Sequence, residues 1–230
     1  MISGRLNQSL MKFMNITWYG HSCFKLQGKD VTLITDPFGK ETGLKPPSTS
    51  ADIVTISHEH PDHNNRAAIK GEPFIIDGPG EYEVKKVVVR GIESLHGEGK
   101  GEGKASNAVF AMVMDDIRIC HLGDLGGKAL SAEQLSAIGE VDILFVPIGG
   151  TYTLDAKEAE AVIAQIEPRV IIPMHYKVPG VKGGLEKLDD AKVFCQDHNL
   201  NMKETVSKVS FKKKDLPEEE PQYIIMDTGK

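Results

Sequence analysis

Short runs of apolar residues fill most of the first half of the chain and recur in the second half. They are too short for typical helices and rich in β-branched residues, so each run predicts a buried or half-buried strand. The predicted strands cover residues 15–19, 23–26, 31–35, 53–57, 74–76, 87–90, 108–114, 117–120, 143–146 and 170–172. Asp115 and Asp116 separate two of these runs and predict a tight hairpin turn.

Helical patterns begin only after residue 130. Ser131 and Gln134 have the spacing of a capping box, which predicts the start of a first helix. Asp155 predicts the cap of a second helix, and residues 185–198 predict a third. The second helix has an apolar stripe made of Ala159, Val162, Ile163 and Ile166. Strands that give way to alternating strands and helices favour an α/β fold in which two sheets pack face to face with helices outside.

The composition is that of an ordinary globular protein and limits the kinds of partner that the protein is expected to bind. The 230 residues suffice for one substantial core, and no apolar run approaches the length of a membrane span. A net charge of −6 and a pI near 5.8 argue against non-specific binding to nucleic acid or a membrane surface, although a local basic groove for nucleic acid stays open. We expect one domain over residues 12–210, an extension over 1–11 that is not a signal peptide, and a loosely held tail over 211–230. Within that tail, residues 223–226 are a candidate edge strand.

Cysteine usage indicates the compartment. Cys23, Cys120 and Cys195 lie far apart in the sequence, which is typical of a reducing, cytoplasmic setting without a disulfide framework. Residues 98–104 are rich in glycine and charge and predict a mobile surface loop.

The most informative segment follows the predicted strand over residues 53–57. It reads His58-Glu59-His60-Pro61-Asp62-His63 and contains four side chains that can bind a metal. Imidazole nitrogens and carboxylate oxygens are ligands for borderline divalent metals, zinc above all. A single structural zinc ion is the alternative, but such sites usually take clustered cysteines. Because one ion would have too many ligands here, two adjacent metal sites are the better interpretation.

Three further candidate ligands stand at the ends of other predicted strands: His96, Asp124 and His175. Strands of one sheet end at a common rim, so these side chains are expected to converge on the first cluster. His21 is expected near that rim, where it would support a ligand or contact substrate, and His121 would support a neighbouring ligand or simply pack. The turn over residues 149–153 would either present backbone N–H groups to an anionic substrate at a helix N-terminus or be a plain capped turn.

These motifs resemble the metallo-β-lactamase fold superfamily, in particular its small zinc-dependent hydrolases similar to L-ascorbate-6-phosphate lactonase. The resemblance runs from about residue 12 to residue 198 and rests on the H-x-H-x-D-H segment. The supporting motifs are Tyr19-Gly20-His21-Ser22-Cys23-Phe24, Thr35-Asp36-Pro37, His121-Leu122-Gly123-Asp124-Leu125-Gly126 and Pro173-Met174-His175-Tyr176. The resemblance implies an αββα sandwich with metals at one edge. It also implies a first site of His58, His60 and His96, a second site of Asp62, His63 and His175, and Asp124 with a water or hydroxide as the bridge.

The expected function is that of a metal-dependent hydrolase. Two divalent ions, zinc first with manganese or iron as alternatives, would share a hydroxide that attacks a small ester, lactone or phosphoester. Asp62, Asp124 and His21 are the expected catalytic residues. A phosphodiesterase or nuclease, or a non-catalytic metal-binding protein of the same fold, are the alternatives, because this fold hosts many chemistries. The expected partner is a small-molecule substrate, with no membrane and with a homo-oligomer as an open option.

Overall fold

The computed structural model describes residues 13–96, 105–127 and 129–228, and in it two large mixed β-sheets pack face to face. The first sheet has the order β14-β1-β2-β3-β5-β7, and the second has the order β15-β13-β12-β11-β10-β9-β8. The strands of the first sheet are β1 (Met14–Gly20), β2 (Cys23–Gln27), β3 (Thr32–Thr35), β5 (Ile53–Thr55), β7 (Phe74–Ile76) and β14 (Lys208–Phe211). Those of the second are β8 (Gly80–Val84), β9 (Val87–His96), β10 (Ala105–Met114), β11 (Ile117–His121), β12 (Ile143–Pro147), β13 (Val170–Met174) and β15 (Gln222–Tyr223). A small pair of β4 (Thr49–Ser50) and β6 (Ile69–Lys70) completes the strands of the described residues.

All of the strands predicted from apolar runs are present, and the predicted fold class is confirmed. The turn between β10 and β11 is the expected tight hairpin, since Asp115 and Asp116 have φ angles of 49° and 66°. Positive φ at both central residues is the geometry of a type I′ turn, which matches the right-handed twist of paired strands.

Helices cover the outer sides of the sheets: α1 (Ala132–Ile138), α2 (Ala156–Ile166) and α3 (Lys192–Asp197). Both predicted caps are confirmed, because Ser131 and Asp155 each form a complete capping box. The predicted third helix over 185–198 is too long. A 3₁₀ turn occupies Leu185–Lys187, and Leu188 is extended with ψ of 151°. The backbone of Asp189 instead bonds to Gly149 and Lys177, so tertiary pairing interrupts the helix.

The core lies between the two sheets and reaches the edge at which the candidate ligands stand. Phe24 of the first sheet stacks on Phe145 of the second with ring centroids 4.1 Å apart. Trp18 is buried against Phe24 and Tyr176, and its indole N–H donates to the carbonyl oxygen of His21 at 3.0 Å. Each such ring stabilises the fold by about 1.5–3 kcal/mol through burial. The Trp18 bond also ties the turn after β1 to this rigid core.

The C-terminal segment is more firmly held than expected. A short edge strand, β15, forms at Gln222–Tyr223 and pairs in parallel with β13, but it overlaps the predicted strand over 223–226 only at Tyr223. The expectation of a loosely held tail is wrong, because Leu216, Ile225 and Met226 are buried in the core and Lys213 lies 2.5 Å from the buried carboxylate of Asp142. The division of the chain near residues 12 and 210 stays a prediction. The extension over 1–11 and the loop over 98–104 lie outside the described residues.

In the described part of the chain, no helix is long and apolar enough to cross a membrane.

Candidate metal centre

The predicted ligands meet at one edge of the sandwich, around a single carboxylate oxygen. Asp124 follows β11, His175 follows β13 and His96 ends β9, while the loop after β5 supplies residues 58–63. Asp124 Oδ2 lies 3.0 Å from His175 Nε2 and 3.3 Å from the Nε2 atoms of His63 and His96. His58 Nε2 lies 3.8 Å from the same oxygen. The strand ends therefore converge as the sequence predicts.

One group of ligand atoms consists of His58, His60 and His96. His58 Nε2 lies 3.0 Å from His60 Nδ1, and the ring of His96 is within 5.0 Å of both other rings. His58 is buried, whereas His60 and His96 are partly exposed. This group is the predicted first set, and its more open members face the approach to the site.

A second group consists of His21, His63 and His175, with Asp62 beside it. His21 Nε2 lies 2.9 Å from His63 Nε2 and 3.1 Å from Asp62 Oδ2. The side chain of Asp62 is 28% exposed, whereas His21 is only 2% exposed. His21 therefore lies at the predicted rim beside candidate ligands, with its ring buried. The turn between β1 and β2 directs its ring into the interior of the cluster.

A buried hydrogen-bond network behind the ligands was not predicted. Asp36, directly after β3, accepts from the backbone N–H of Ser57 at 2.8 Å, from Ser57 Oγ at 2.6 Å and from His63 Nδ1 at 2.9 Å. Ser57 Oγ also lies 3.0 Å from His58 Nδ1. When both imidazoles donate from Nδ1, their Nε2 atoms present lone pairs to the cluster. Asp36 and Ser57 thereby fix the tautomers of two candidate ligands that belong to different groups.

The electrostatics of the site favour unprotonated imidazole at several positions. Burial lowers the pKa of His21 to about 4 and that of His58 to about 3, and nearby histidines add to both effects. Burial also opposes the charged form of His63, yet the carboxylates of Asp124 and Asp36 hold the pKa of that imidazole well above its usual range. The proton on His63 thus offsets the negative charge of the buried carboxylates. A bound cation would take over this role.

Two properties of the cluster fit divalent metal ions. Some of its buried polar atoms have no hydrogen-bond partner among the described residues, and its donor atoms are of the type that these metals bind. Asp124 Oδ1 and His175 Nδ1 are buried and have no hydrogen-bond partner among the described residues. Leaving such a group unpaired costs roughly 1–3 kcal/mol, and more when it is charged. A cation beside Asp124 would satisfy the orphaned carboxylate oxygen. The surrounding imidazole and carboxylate set is the one that borderline divalent metals take.

Two other predicted features have structural roles. His121 is fully buried, with Nε2 3.0 Å from the carbonyl oxygen of Ser22 and Nδ1 accepting from the backbone N–H of Gly123, so it supports the loop that carries Asp124. Of the two alternatives for residues 149–153, the structure supports the capped turn, because Asp155 caps α2 with its own side chain. A side chain at Gly149 would meet the carbonyl oxygen of His175 at 2.1 Å, so glycine is needed where the two backbones touch.

Comparison with known proteins agrees with this fold. Residues 15–175 match the family model of the β-lactamase superfamily domain. A protein of the metallo-β-lactamase superfamily from Thermotoga maritima is 36% identical, with a TM-score of 0.73 over 93% of this chain and 98% of that one. The chain thus has the fold of the metallo-β-lactamase superfamily.

Sequence relatives specify the group within that superfamily. A UPF0173 metal-dependent hydrolase of Methanoregula boonei is 30% identical over 79% of this chain and 94% of its own length. A UPF0173 protein of Pyrococcus abyssi is 31% identical over 74% of this chain and 86% of its own length. The chain belongs to the UPF0173 family.

Proposed function

We propose that this protein is a hydrolase that uses two adjacent divalent ions to cleave a small ester, lactone or phosphoester. The observation that carries the proposal is the buried Asp124 carboxylate, with four imidazole Nε2 atoms within 3.8 Å of one oxygen and, among residues 13–96, 105–127 and 129–228, no hydrogen-bond partner for the other oxygen. The names of relatives such as the Methanoregula boonei metal-dependent hydrolase support it. Zinc is the first choice of metal, with manganese or iron as alternatives.

In this proposal the ligands divide as the superfamily resemblance implies. His58, His60 and His96 would hold the first ion, and Asp62, His63 and His175 the second. Asp124 would bridge the two. When bound, such a pair of ions lowers the pKa of a shared water and polarises a carbonyl or phosphoryl oxygen.

The chain's own residues would bind and orient the substrate from the open side of the cluster. The partly exposed members of the cluster are His60, Asp62 and His96, whereas His58, His63, Asp124 and His175 are buried. Substrate would therefore approach past Asp62. Hydrogen bonding to His21 offsets the burial of Asp62 and lowers the pKa of its carboxyl, which keeps it ionised at neutral pH. An ionised Asp62 can hold a ligand in place or accept a proton, but it cannot donate one.

Charge supports small substrates over long polyanions. The net charge of −6 repels nucleic acid at a distance, whereas a cation pair attracts one phosphate or carboxylate locally. Lactones belong in the substrate class because the motifs resemble those of L-ascorbate-6-phosphate lactonase. A cytoplasmic location is part of the proposal, since the three cysteines are buried and free.

The test combines metal analysis with a substrate panel. We expect about two ions per chain after metal supplementation, and turnover of a lactone, a chromogenic phosphodiester or a thioester that a chelator abolishes and metal restores. A metal content well below one per folded chain would overturn the proposal. Two ions without turnover of any substrate would favour a non-catalytic metal-binding protein. Chelator-sensitive cleavage of a single-stranded oligonucleotide would favour the nuclease alternative.

A further inference from the structure

We propose that His21 is a fifth protein ligand of the second metal site, which makes that site six-coordinate and chemically unlike the first. The inference rests on the two-ion site proposed above and adds a residue and a coordination geometry to it. It follows from three observations: where the His21 ring is held, how far its Nε2 lies from neighbouring ligand atoms, and how many donors each site then has.

The backbone at His21 is arranged to point its ring into the cluster. His21 has a φ of 54°, in the left-handed region that is unfavourable for residues with a Cβ atom. Its carbonyl oxygen accepts from Trp18 Nε1 at 3.0 Å and from the backbone N–H of His175 at 3.2 Å. These two bonds fix a strained residue between the core and a neighbouring candidate ligand. Strain of this kind persists where the surrounding structure demands one conformation.

The Nε2 atom of His21 is positioned as a ligand rather than as a distant support. It lies 2.9 Å from His63 Nε2 and 3.1 Å from Asp62 Oδ2. His63 already uses Nδ1 for Asp36, so in the neutral ring its Nε2 presents a lone pair toward His21. Two Nε2 atoms at this distance, beside a carboxylate, converge on one point that a cation can occupy.

The contacts of His21 have the spacing of a crowded coordination sphere. With metal–ligand bonds of roughly 2.1 Å, ligands at right angles lie about 3.0 Å apart and tetrahedral ligands about 3.4 Å apart. The contacts of His21 with His63 and Asp62, and the 3.0 Å contact of His175 with Asp124, match the right-angle value, whereas His63 lies 3.3 Å from Asp124 and 3.9 Å from Asp62. In the first group, Asp124 lies 3.3 and 3.8 Å from two histidines, although His58 and His60 approach to 3.0 Å.

The donor count then separates the two sites. The second site would have three imidazoles and two carboxylates from the protein, which leaves one position for water. The first site would have three imidazoles and the shared Asp124, so that even with the shared water it has at most five ligands, a number that zinc accepts. Six-coordinate nitrogen and oxygen sets suit ions such as Mn²⁺ or Fe²⁺ better than Zn²⁺. We therefore expect the two sites to differ in metal preference.

Cobalt(II) tests this directly, because four- and five-coordinate Co²⁺ absorb visible light more strongly than six-coordinate Co²⁺. Titration of the metal-free wild-type protein with Co²⁺ should fill one strongly absorbing and one weakly absorbing site. In His21→Asn, whose asparagine tolerates the left-handed backbone, the second Co²⁺ should bind at least about tenfold more weakly and absorb more strongly. His21→Gly, which fits the same backbone, should behave in the same way.

The matched control is His198→Asn, which alters a histidine outside the ligand groups, whose Nε2 lies 2.6 Å from Glu160 Oε1. It should leave both Co²⁺ spectra unchanged. Two strongly absorbing Co²⁺ ions in the wild type would overturn the proposal. So would weaker binding in His21→Asn with an unchanged spectrum, which identifies His21 as a hydrogen-bond donor to Asp62 only. Fewer than two bound Co²⁺ ions in the wild type would overturn the two-ion function itself.

Discussion

The backbone N–H of His175 donates to the carbonyl oxygen of His21, and both histidines have left-handed backbone, with φ of 51° and 54°. Their rings lie 4.3 Å apart. Left-handed backbone costs about 1–2 kcal/mol at a residue with a Cβ atom. Two strained residues that bond to each other beside a buried carboxylate are typical of a site whose geometry is needed for binding or chemistry.

This relationship allows a test of His175 that spares the fold. His175→Asn keeps a residue that tolerates left-handed backbone but removes the imidazole from Asp124. We expect the variant to lose the second ion and retain the first, as measured by metal titration. The comparison variant is His96→Asn, in which the first ion should be lost instead. Equal loss of both ions in both variants, or loss of neither, would contradict the division of ligands.

The network behind the ligands gives a second prediction. Ser57 Oγ connects Asp36 with His58, so Ser57→Ala should lower the free energy of unfolding by about 1 kcal/mol. It should also weaken metal binding by roughly 10–100-fold, because partners of metal ligands contribute on that scale. Urea unfolding and metal titration check the two effects.

Ser22 provides the control for Ser57. It is also fully buried, but its Oγ has no hydrogen-bond partner among the described residues. Ser22→Ala removes an unpaired buried hydroxyl and should therefore be neutral or stabilising. If Ser57→Ala and Ser22→Ala had the same stability and the same metal affinity, the contacts of Ser57 would have no special role.

Much of the fold follows from local pattern. The β-branched runs that became β1, β5 and β13 are apolar enough to be recognised without any tertiary information. The two capping boxes are equally local, because side chain and backbone lie three residues apart. β8 was missed because its sequence, Gly-Glu-Tyr-Glu-Val, has exposed glutamates and little apolar signal at a sheet edge.

The parts of the candidate site that were not predicted depend on contacts between residues far apart in the sequence. Asp36 reaches Ser57 only because β3 and β5 lie side by side in parallel, with Thr35 opposite Thr55. The motif Thr35-Asp36-Pro37 at the end of a predicted strand indicated that this segment is part of the site, but it does not show that Asp36 bonds to Ser57. The burial of the His21 ring could not be predicted from local pattern, because the ring packs on His175, which lies 154 residues later in the sequence.

Asp62 gives a third prediction, in which activity and stability separate. Asp62 is on a loop and partly exposed, so Asp62→Ala should abolish hydrolysis and lower the free energy of unfolding of the metal-free protein by at most about 3 kcal/mol, the upper contribution of its hydrogen bond to His21. The control is Glu59→Ala in the same loop, since Glu59 is exposed and bonds Asn64 and Arg66. Activity assays beside thermal melting decide the outcome. Near-normal turnover in Asp62→Ala would remove Asp62 from the site.

The lowered pKa values give a fourth prediction, for protein stripped of metal by a chelator. In the unfolded chain His21 and His58 titrate near 6.5, but folding lowers their pKa values to about 4 and about 3. Below pH 6.5 the unfolded chain therefore binds more protons, so their stabilising contribution is complete above pH 6.5 and falls as pH drops toward 4. His63 has the opposite effect on stability, because its raised pKa makes its stabilising contribution complete below pH 6.5.

Four histidines have lowered pKa values, His21, His58, His60 and His121, and only His63 has a raised one, so we expect the metal-free protein to be less stable at pH 5 than at pH 7.5. Urea midpoints at the two pH values measure the change. His21→Asn removes one of the lowered groups and should show a smaller dependence on pH. Equal midpoints at both pH values, or a higher midpoint at pH 5, would show that His63 dominates.

The fifth prediction concerns the C-terminal segment and its link to the site. Met226 is 2% exposed, and its carbonyl oxygen accepts from the hydroxyl of Tyr176, the residue after His175. Met226→Ala should lower the free energy of unfolding by about 2–5 kcal/mol, because it leaves a cavity in the core. The control is Met202, which is 41% exposed, so Met202→Ala should change the free energy of unfolding by less than about 0.5 kcal/mol. Since the cavity lies beside the segment that positions His175, Met226→Ala should also weaken binding of the second ion more than the first. Urea unfolding and metal titration of both variants provide the check, and equal stability of the two would mean that the segment does not support the core.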